Sequence, residues 1–285
     1  MEIEDALANL LEQLKDDRSL LEPGRLRQRV DTLDELEAYL SDEAGIGAAL
    51  RQRARAIYAE FETVNRRLYG DIRRSIRRGE GGRRLMDWMP DWNSAGNRTD
   101  REGYDYLDDL ISGVLRLEEP SKEVARLESE MVAYQPTPAR HIFDFVRRVG
   151  LTERDWLIDL GSGLGHVALV ASICASARCT GTELEPSYID SARKCAQSLK
   201  LNNVTFIQGD VRAADMSRGT AFYLYTPFTG GVLREVLNSL RREASQREIR
   251  IGTLGPCTRI VAEENWLSAV GVVEPERTAV FRSRD

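Results

Sequence analysis

The sequence predicts an α/β protein, a doubly wound and mostly parallel sheet preceded by an all-helical N-terminal region. Three observations carry this. Apolar residues recur only at helical spacing over the first 80 positions. From Thr137 onward, short apolar runs of strand length alternate with helical patterns. A glycine-rich turn joins the first of those runs to a helix.

Taken in order, Ile3, Leu7, Leu10 and Leu14 step by three or four. Leu26, Val30, Leu33, Leu36 and Leu40 do so again after Pro23 and Gly24. A longer stripe runs from Leu50 through Ala54, Ile57, Phe61, Leu68 and Ile72 to Ile76. Three amphipathic helices bury such stripes against one another. Gly79, Gly81 and Gly82 end the third helix, and Met86 to Asp100 reads as a loop. Helical spacing resumes at Tyr104, continues through Leu107, Leu110, Ile111, Val114 and Leu115 and ends near Pro120, and Ser121 caps another helix that runs to about Val132. Thr137-Pro138 reads as a helix start, a capping hydroxyl followed by proline at the first helical position.

The strands expected after it are Trp156–Leu160, Ala177–Glu183, Val204–Gln208, Ala221–Tyr225 and Glu248–Thr253. The helices between them are Val167–Ser176, Tyr188–Lys200 and Gly231–Ala244. Right-handed crossovers make such a sheet parallel. Ala269 to Ser283 holds two extended pieces around Pro275, a closing hairpin. The expected division is a helical domain over 1–120, serving substrate recognition or as a lid, and a ligand-binding domain over 121–285.

Composition narrows the function. The 285 residues carry 40 Lys and Arg against 46 Asp and Glu, a net charge of −6, which argues against a surface built throughout for nucleic acid. Cys174, Cys179, Cys195 and Cys257 form no CxxC pair, and His141 and His166 are the only histidines. No metal site and no disulfide framework is expected, and reduced core thiols point to the cytoplasm. The acidic, amphipathic N-terminus is unlike a signal peptide, and no run approaches the roughly 20 apolar residues of a membrane span.

The chemistry concentrates in Trp156-Leu-Ile-Asp159-Leu-Gly161-Ser162-Gly163-Leu-Gly165-His166. A buried strand ends in a carboxylate, turns through three glycines and enters a helix. Glycine permits a sharp turn and close approach, and a helix N-terminus presents N–H groups and partial positive charge to an anion. Asp159 stands where a cationic amine is received, so the ligand sought carries both an amine and a carboxylate. The dinucleotide fingerprint G-x-G-x-x-G is the competitor. Here the third glycine falls one place early, His166 takes the position that fingerprint reserves for glycine, and Asp159 suits a diphosphate badly.

Two more acids end the next strands. Glu183, about 20 residues after the turn, stands where ribose hydroxyls are accepted in nucleoside-binding α/β folds. Asp210, in Gly209-Asp210-Val211, stands at the neighbouring strand end, where an adenine amino group is in reach. Singly, each is an ordinary solvated carboxylate. Together they occupy the C-terminal ends of successive parallel strands, where open α/β sheets bind ligands.

With these motifs the sequence resembles the class I S-adenosylmethionine (SAM) dependent methyltransferases, whose Rossmann-like sheet carries an acidic-x-Gly-x-Gly-x-Gly turn, an acid ending the second strand and Gly-Asp ending the third. The resemblance covers Tyr134 to Ser283. It implies SAM as cofactor, held by Asp159, Gly161, Ser162, Gly163, Gly165, Glu183, Leu184, Asp210 and Val211. The Asp-Leu-Gly-Ser-Gly form with Gly-x-Glu looks closest to the disruptor-of-telomeric-silencing type of lysine methyltransferase and its bacterial relatives. There a segment ahead of the first strand folds over the cofactor, which adds Tyr134 and Thr137; a linker and a helix cap are the plain alternatives for these two.

The fourth strand departs from that pattern. It ends in Tyr225-Thr226-Pro227-Phe228, where amino-group methyltransferases often place Asn or Asp before proline. Tyr225, Thr226 and Phe228 are the acceptor-side candidates, against a strand end that merely packs. Tyr225 or a carboxylate of the N-terminal region is the candidate proton acceptor. His166 and His141 read as structural.

Two features lie outside this pattern. Asp87-Trp88-Met-Pro-Asp91-Trp92-Asn93, with Tyr104 and Tyr106 beyond it, reads equally as a substrate lid and as packing between domains. Arg66 to Arg84 holds eight arginines, of which Arg66, Arg67, Arg73, Arg74 and Arg77 fall on a solvated helix face. The expected function is methyl transfer from SAM to a small molecule or protein side chain. The alternatives are a nucleic-acid methyltransferase using the arginine run, and a non-catalytic SAM-binding partner protein.

Overall fold

The structure is a computed structural model that describes residues 2–41, 45–89, 105–118 and 130–284. In chain order the helices are α1 (Glu2–Asp16), α2 (Leu26–Ser41), α3 (Ala48–Arg77), α4 (Gly81–Met86), α5 (Tyr106–Leu115), α6 (Ala139–Val149), α7 (His166–Cys174), α8 (Pro186–Leu199), α9 (Gly230–Ala244) and α10 (Cys257–Ala262). The strands are β1 (Trp156–Leu160), β2 (Arg178–Glu183), β3 (Val204–Gln208), β4 (Ala221–Tyr225), β5 (Arg250–Leu254), β6 (Leu267–Ala269) and β7 (Ala279–Ser283). The chain forms two compact units, Met1–Arg74 with Tyr104–Val114, and Ser75–Gly103 with Leu115–Asp285. This division is discontinuous, unlike a single boundary at 120, because α4 packs on α7 within the second unit.

In the first unit the stripes meet as their spacing requires. Leu7, Leu11, Leu36, Ile46 and Ala54 form one buried cluster, and Leu20, Leu33 and Phe61 another. Arg29 is a polar exception that periodicity does not reveal. It is fully buried, and its Nε donates to Asn65 Oδ1 at 2.7 Å while a terminal nitrogen donates to the Leu20 carbonyl at 2.7 Å and the Glu22 carbonyl at 2.5 Å. A guanidinium is tolerated there because its donors are met by fixed acceptors. Arg73 corrects the reading of the arginine run. It is buried, not on a solvated face, and donates to the Val114 carbonyl. The cause is α5, whose Gly113 leaves room for the Tyr69 ring of α3 to lie close.

In the second unit, seven strands among the described residues form one sheet in the order β3-β2-β1-β4-β5-β7-β6. β3, β2, β1, β4 and β5 are parallel, and β7 runs antiparallel between β5 and β6. The chain winds outward from β1 through β2 to β3, then returns to β4 on the other side. The crevice at this reversal is where open α/β sheets take ligands. Asp155, just before β1, ties the sheet at its other end. It accepts from Thr152 N at 2.8 Å and Thr220 Oγ1 at 2.8 Å, and pairs with Arg250.

Local chemistry moved several boundaries. α8 begins at Pro186, not Tyr188, because the Glu185 side chain accepts from Ser187 N at 3.2 Å and proline fits the first helical position. Pro138 is itself the cap of α6, so Ala139 and not Pro138 opens the helix. β5 spans Arg250–Leu254 instead of Glu248–Thr253. α4 and α10 were not expected; the glycines after α3 open a short helix as well as ending the long one. The helix expected from Ser121 falls mostly outside the described residues, and at its expected end Glu130 is in a turn and Met131 bridges Phe228. Of the aromatic loop, Asp91, Trp92, Asn93 and Tyr104 also lie outside them. Tyr106 belongs to the helical unit, with Arg27 5.8 Å from its ring centre.

Candidate active site

A cavity of about 1010 Å³ opens at the C-terminal ends of the strands on either side of the reversal. Tyr134, Thr137, Asp159, Gly161, Ser162, Glu183, Leu184, Asp210 and Val211 line it from the expected cofactor set, and so do Tyr225, Thr226 and Phe228. Gly163 and Gly165 do not.

At Gly163 the reason is the Tyr134 ring that covers the turn, and Gly165 faces Phe206 and Ala192 instead. Gly161 has φ +84° and Gly163 φ +52°, a region that costs side-chain-bearing residues strain. A Cβ on Gly163 would lie 2.1 Å from the Tyr134 ring, and one on Gly161 2.3 Å from Pro227 Cβ. The missing side chains therefore make room for protein groups at these two positions. Gly161 N and Ser162 N donate to the Thr182 carbonyl at 3.0 and 2.9 Å, and Gly163 N donates to Glu183 Oε2 at 2.9 Å. The turn thus spends these donors on the protein itself. Donors toward a ligand fall to its later residues and to the start of α7.

Glu183 is held from behind. Its Oε1 accepts from Leu184 N at 2.7 Å and Glu185 N at 3.0 Å, so three backbone N–H groups position one carboxylate at the cavity wall. Asp159 is different. It is 4 % exposed, and burial first, then the nearby Glu183 charge, push its carboxyl up to about 8, against a backbone hydrogen bond from Ala168. A carboxyl so placed ionises readily only when a cation joins it. Asp210 caps the turn that follows it, with Oδ1 accepting from Arg212 N at 2.8 Å, and it pairs with the Arg212 guanidinium. Its oxygens are shared between the cavity edge and this local pair.

The segment Glu130 to Pro138 crosses the cavity mouth as a strap. Glu130 accepts from Gly231 N at 3.1 Å and Val232 N at 2.9 Å, capping α9, and Val132 N donates to the Pro227 carbonyl at 3.1 Å. Tyr134 lies over Gly163, with its ring centre 4.9 Å from that of Tyr188 and its hydroxyl 3.2 Å from His166 Nδ1. Burial lowers His166 to about 4, so it is a neutral imidazole at neutral pH, and His141 is lowered to about 4 chiefly by burial.

On the acceptor side the three candidates separate. Thr226 sits at φ +39°, and its hydroxyl donates to the Leu254 carbonyl at 2.9 Å and accepts from Cys257 N at 3.1 Å. That side chain is committed to the β5–α10 junction. Phe228 is 2 % exposed within the apolar core. Tyr225 is half-buried, and its hydroxyl donates to Gln135 Oε1 at 3.4 Å. Burial raises its pKa, with Arg140 opposing, so it is a neutral phenol and ill suited to be the proton acceptor. Gln135, Glu185, Tyr188 and Tyr223 line the cavity without having been singled out. Nothing local marks Gln135, which only the strap's path brings in, while Tyr188 reaches the cavity from the first turn of α8. Tyr223 looked like one more apolar residue in a buried strand.

These residues fit SAM. A carboxylate fixed by three amides is chemically suited to accept from a diol, a buried carboxyl to pair with an ammonium, and Ser162 and Tyr223, which border the cavity, carry buried hydroxyls that make no hydrogen bond. Residues 151–240 match the family described as a methyltransferase domain. No curated protein matches the chain. Among solved structures it is similar to an RNA methyltransferase from Salinibacter ruber in complex with S-adenosyl-L-homocysteine, at 27% identity over 52% of this chain and 92% of that one, with a TM-score of 0.42. It is also similar to a precorrin-6y methyltransferase from Geobacter metallireducens, at 17% identity over 54% and 93% of the two chains, with a TM-score of 0.41. The second unit thus contains a class I methyltransferase domain. The chain is a SAM-dependent methyltransferase, and SAM is its cofactor. Among the described residues no helix is long and apolar enough to cross a membrane.

Proposed function

We propose that this methyltransferase acts on a small molecule or protein side chain that enters beside Tyr225 and Gln135. SAM supplies an activated methyl group on a sulfonium, so the protein's contribution is to align and enclose the reactants. In this reading Glu183 holds the ribose, Asp159 the amino group, and Leu184, Val211 and Asp210 the adenine end. Ser162 and the start of α7 hold the carboxylate, Thr137 lines the same end, and Tyr134 covers Gly163. The observation that carries the acceptor reading is the cavity's size. About 1010 Å³ stands at the top of the range of about 300–1,000 Å³ for small-molecule sites, enough for two reactants. Tyr225 and Gln135 are neutral hydrogen-bonding groups there, suited to orient an amine or hydroxyl.

The kinship with lysine methyltransferases of the disruptor-of-telomeric-silencing type is supported by the strap, which lies ahead of β1 and over the glycine turn. Thr226, turned into the β5–α10 junction, speaks against sharing their acceptor chemistry. Four free cysteines suit a reducing, cytoplasmic setting.

A nucleic-acid acceptor is the second reading. It is favoured by the exposure of Arg66, Arg67, Arg74, Arg77, Arg78, Arg83 and Arg84. A screen with methyl-labelled SAM against amine, hydroxyl, peptide and RNA acceptors tests both. Labelled small molecule or peptide is expected. Labelled RNA bound in a salt-dependent way selects the second reading, and SAM binding without any labelled product selects a non-catalytic partner protein.

A further inference from the structure

Resting on the SAM reading, we infer that Tyr223 is a cofactor-binding residue whose hydroxyl donates a hydrogen bond to the carboxylate of the cofactor's amino-acid end. Tyr223 stands in the middle of β4, in register with Asp159 of β1 on one side and Gly252 of β5 on the other. Its ring packs 4.8 Å from that of Phe145, and a Cβ on Gly252 would collide with Phe145 at 2.3 Å and crowd Tyr223 at 3.1 Å. The ring is therefore built into the core, where phenylalanine would serve as well.

The hydroxyl is what needs a reason. Tyr223 is 1 % exposed and borders the cavity, and its oxygen is buried without a hydrogen bond. Thr137 interacts with the phenol without completing one. A buried hydroxyl left unpaired costs folding free energy, so a partner that arrives with the ligand accounts for it. Burial keeps the phenol protonated, so it can donate to an acceptor that the ligand brings. Asp159, its cross-strand neighbour, takes the ammonium; the carboxylate on the same carbon then falls to Tyr223 and the other unpaired hydroxyl, on Ser162.

The test is Tyr223→Phe, which leaves the ring and removes one oxygen. Affinities are measured by calorimetry for SAM, for decarboxylated SAM and for 5′-methylthioadenosine, which lacks the whole amino-acid end. SAM is expected to bind about tenfold more weakly to the variant, as for a lost hydrogen bond to a charged group. The other two are expected to bind both proteins alike. The variant's ligand-free melting temperature is expected to be equal or higher, a combination that loss of packing cannot produce. Unchanged SAM affinity, or equal weakening for decarboxylated SAM, overturns the inference. Failure of the native protein to bind all three instead overturns the SAM reading beneath it.

Discussion

Asp159 offers a quantitative test, because its ionisation and ligand binding are linked. With the carboxyl held at about 8, the ligand-free protein at pH 7 carries it mainly as the neutral acid. An ammonium group needs the carboxylate, so apparent affinity is reduced by the fraction ionised. That factor is about 100 at pH 6, about 11 at pH 7 and about 2 at pH 8, at 1.36 kcal/mol per unit. S-adenosylhomocysteine is thus expected to bind about fiftyfold more tightly at pH 8 than at pH 6, releasing close to one proton per ligand at the lower pH. The stability of the ligand-free protein runs the other way. A carboxyl raised above its ordinary 3.8 keeps a proton that the unfolded chain has already lost. Its contribution is therefore fully present below about pH 4 and is lost as pH rises to 8. Asp159→Asn removes both effects, giving weak, pH-independent binding and a ligand-free melting temperature at pH 8 equal to or above the native one. Calorimetry in two buffers of different ionisation enthalpy, with thermal unfolding alongside, reads all of this. Equal affinity at pH 6 and 8 with no proton release in the native protein refutes the assignment.

Other substitutions probe the site and the helical unit separately. Gly163→Ala places a methyl against the Tyr134 ring at a positive φ, so a loss of about 1 kcal/mol in urea unfolding is expected, with weaker S-adenosylhomocysteine binding. An unchanged variant means the strap does not cover the turn. Glu183→Gln loses charge-assisted acceptance from three amides and from the ribose, about 2 kcal/mol or near thirtyfold in affinity. Equal affinity in calorimetry removes Glu183 from the site. Arg29→Met strips the Leu20 and Glu22 carbonyls and Asn65 of their donor, at about 3 kcal/mol. Hydrogen exchange should quicken over 18–41 and stay unchanged over 150–285; uniform quickening, or none, contradicts a local role.

How much of this was legible depended on whether a feature was local. β1 and β4 fall where their apolar runs place them, because a buried parallel strand has both faces apolar and needs no partner to be recognised; β3, at the sheet edge with only Phe206 buried, is marked by its Val-Thr-Phe-Ile run instead. The acids Asp159, Glu183 and Asp210 stand out in the sequence because each lies at or just past the C-terminal end of a strand, and all three border the cavity. What the glycines make room for was not readable, since Tyr134 and Pro227 arrive from elsewhere in the chain. Arg73 was misplaced for the same reason: helical spacing assigns it a face, but only α5 decides that this face is covered. Thr226 and Phe228 turned inward because the β4 end is tied to Leu254 and Cys257 and to the apolar core.

A crystal structure of the protein with S-adenosylhomocysteine tests the central claim most directly. The ribose hydroxyls should rest on Glu183, with the amino group at Asp159 and the carboxylate near Tyr223 and Ser162. A ligand seated elsewhere, or preferential binding of a nicotinamide dinucleotide across Gly161 to Gly165, contradicts it.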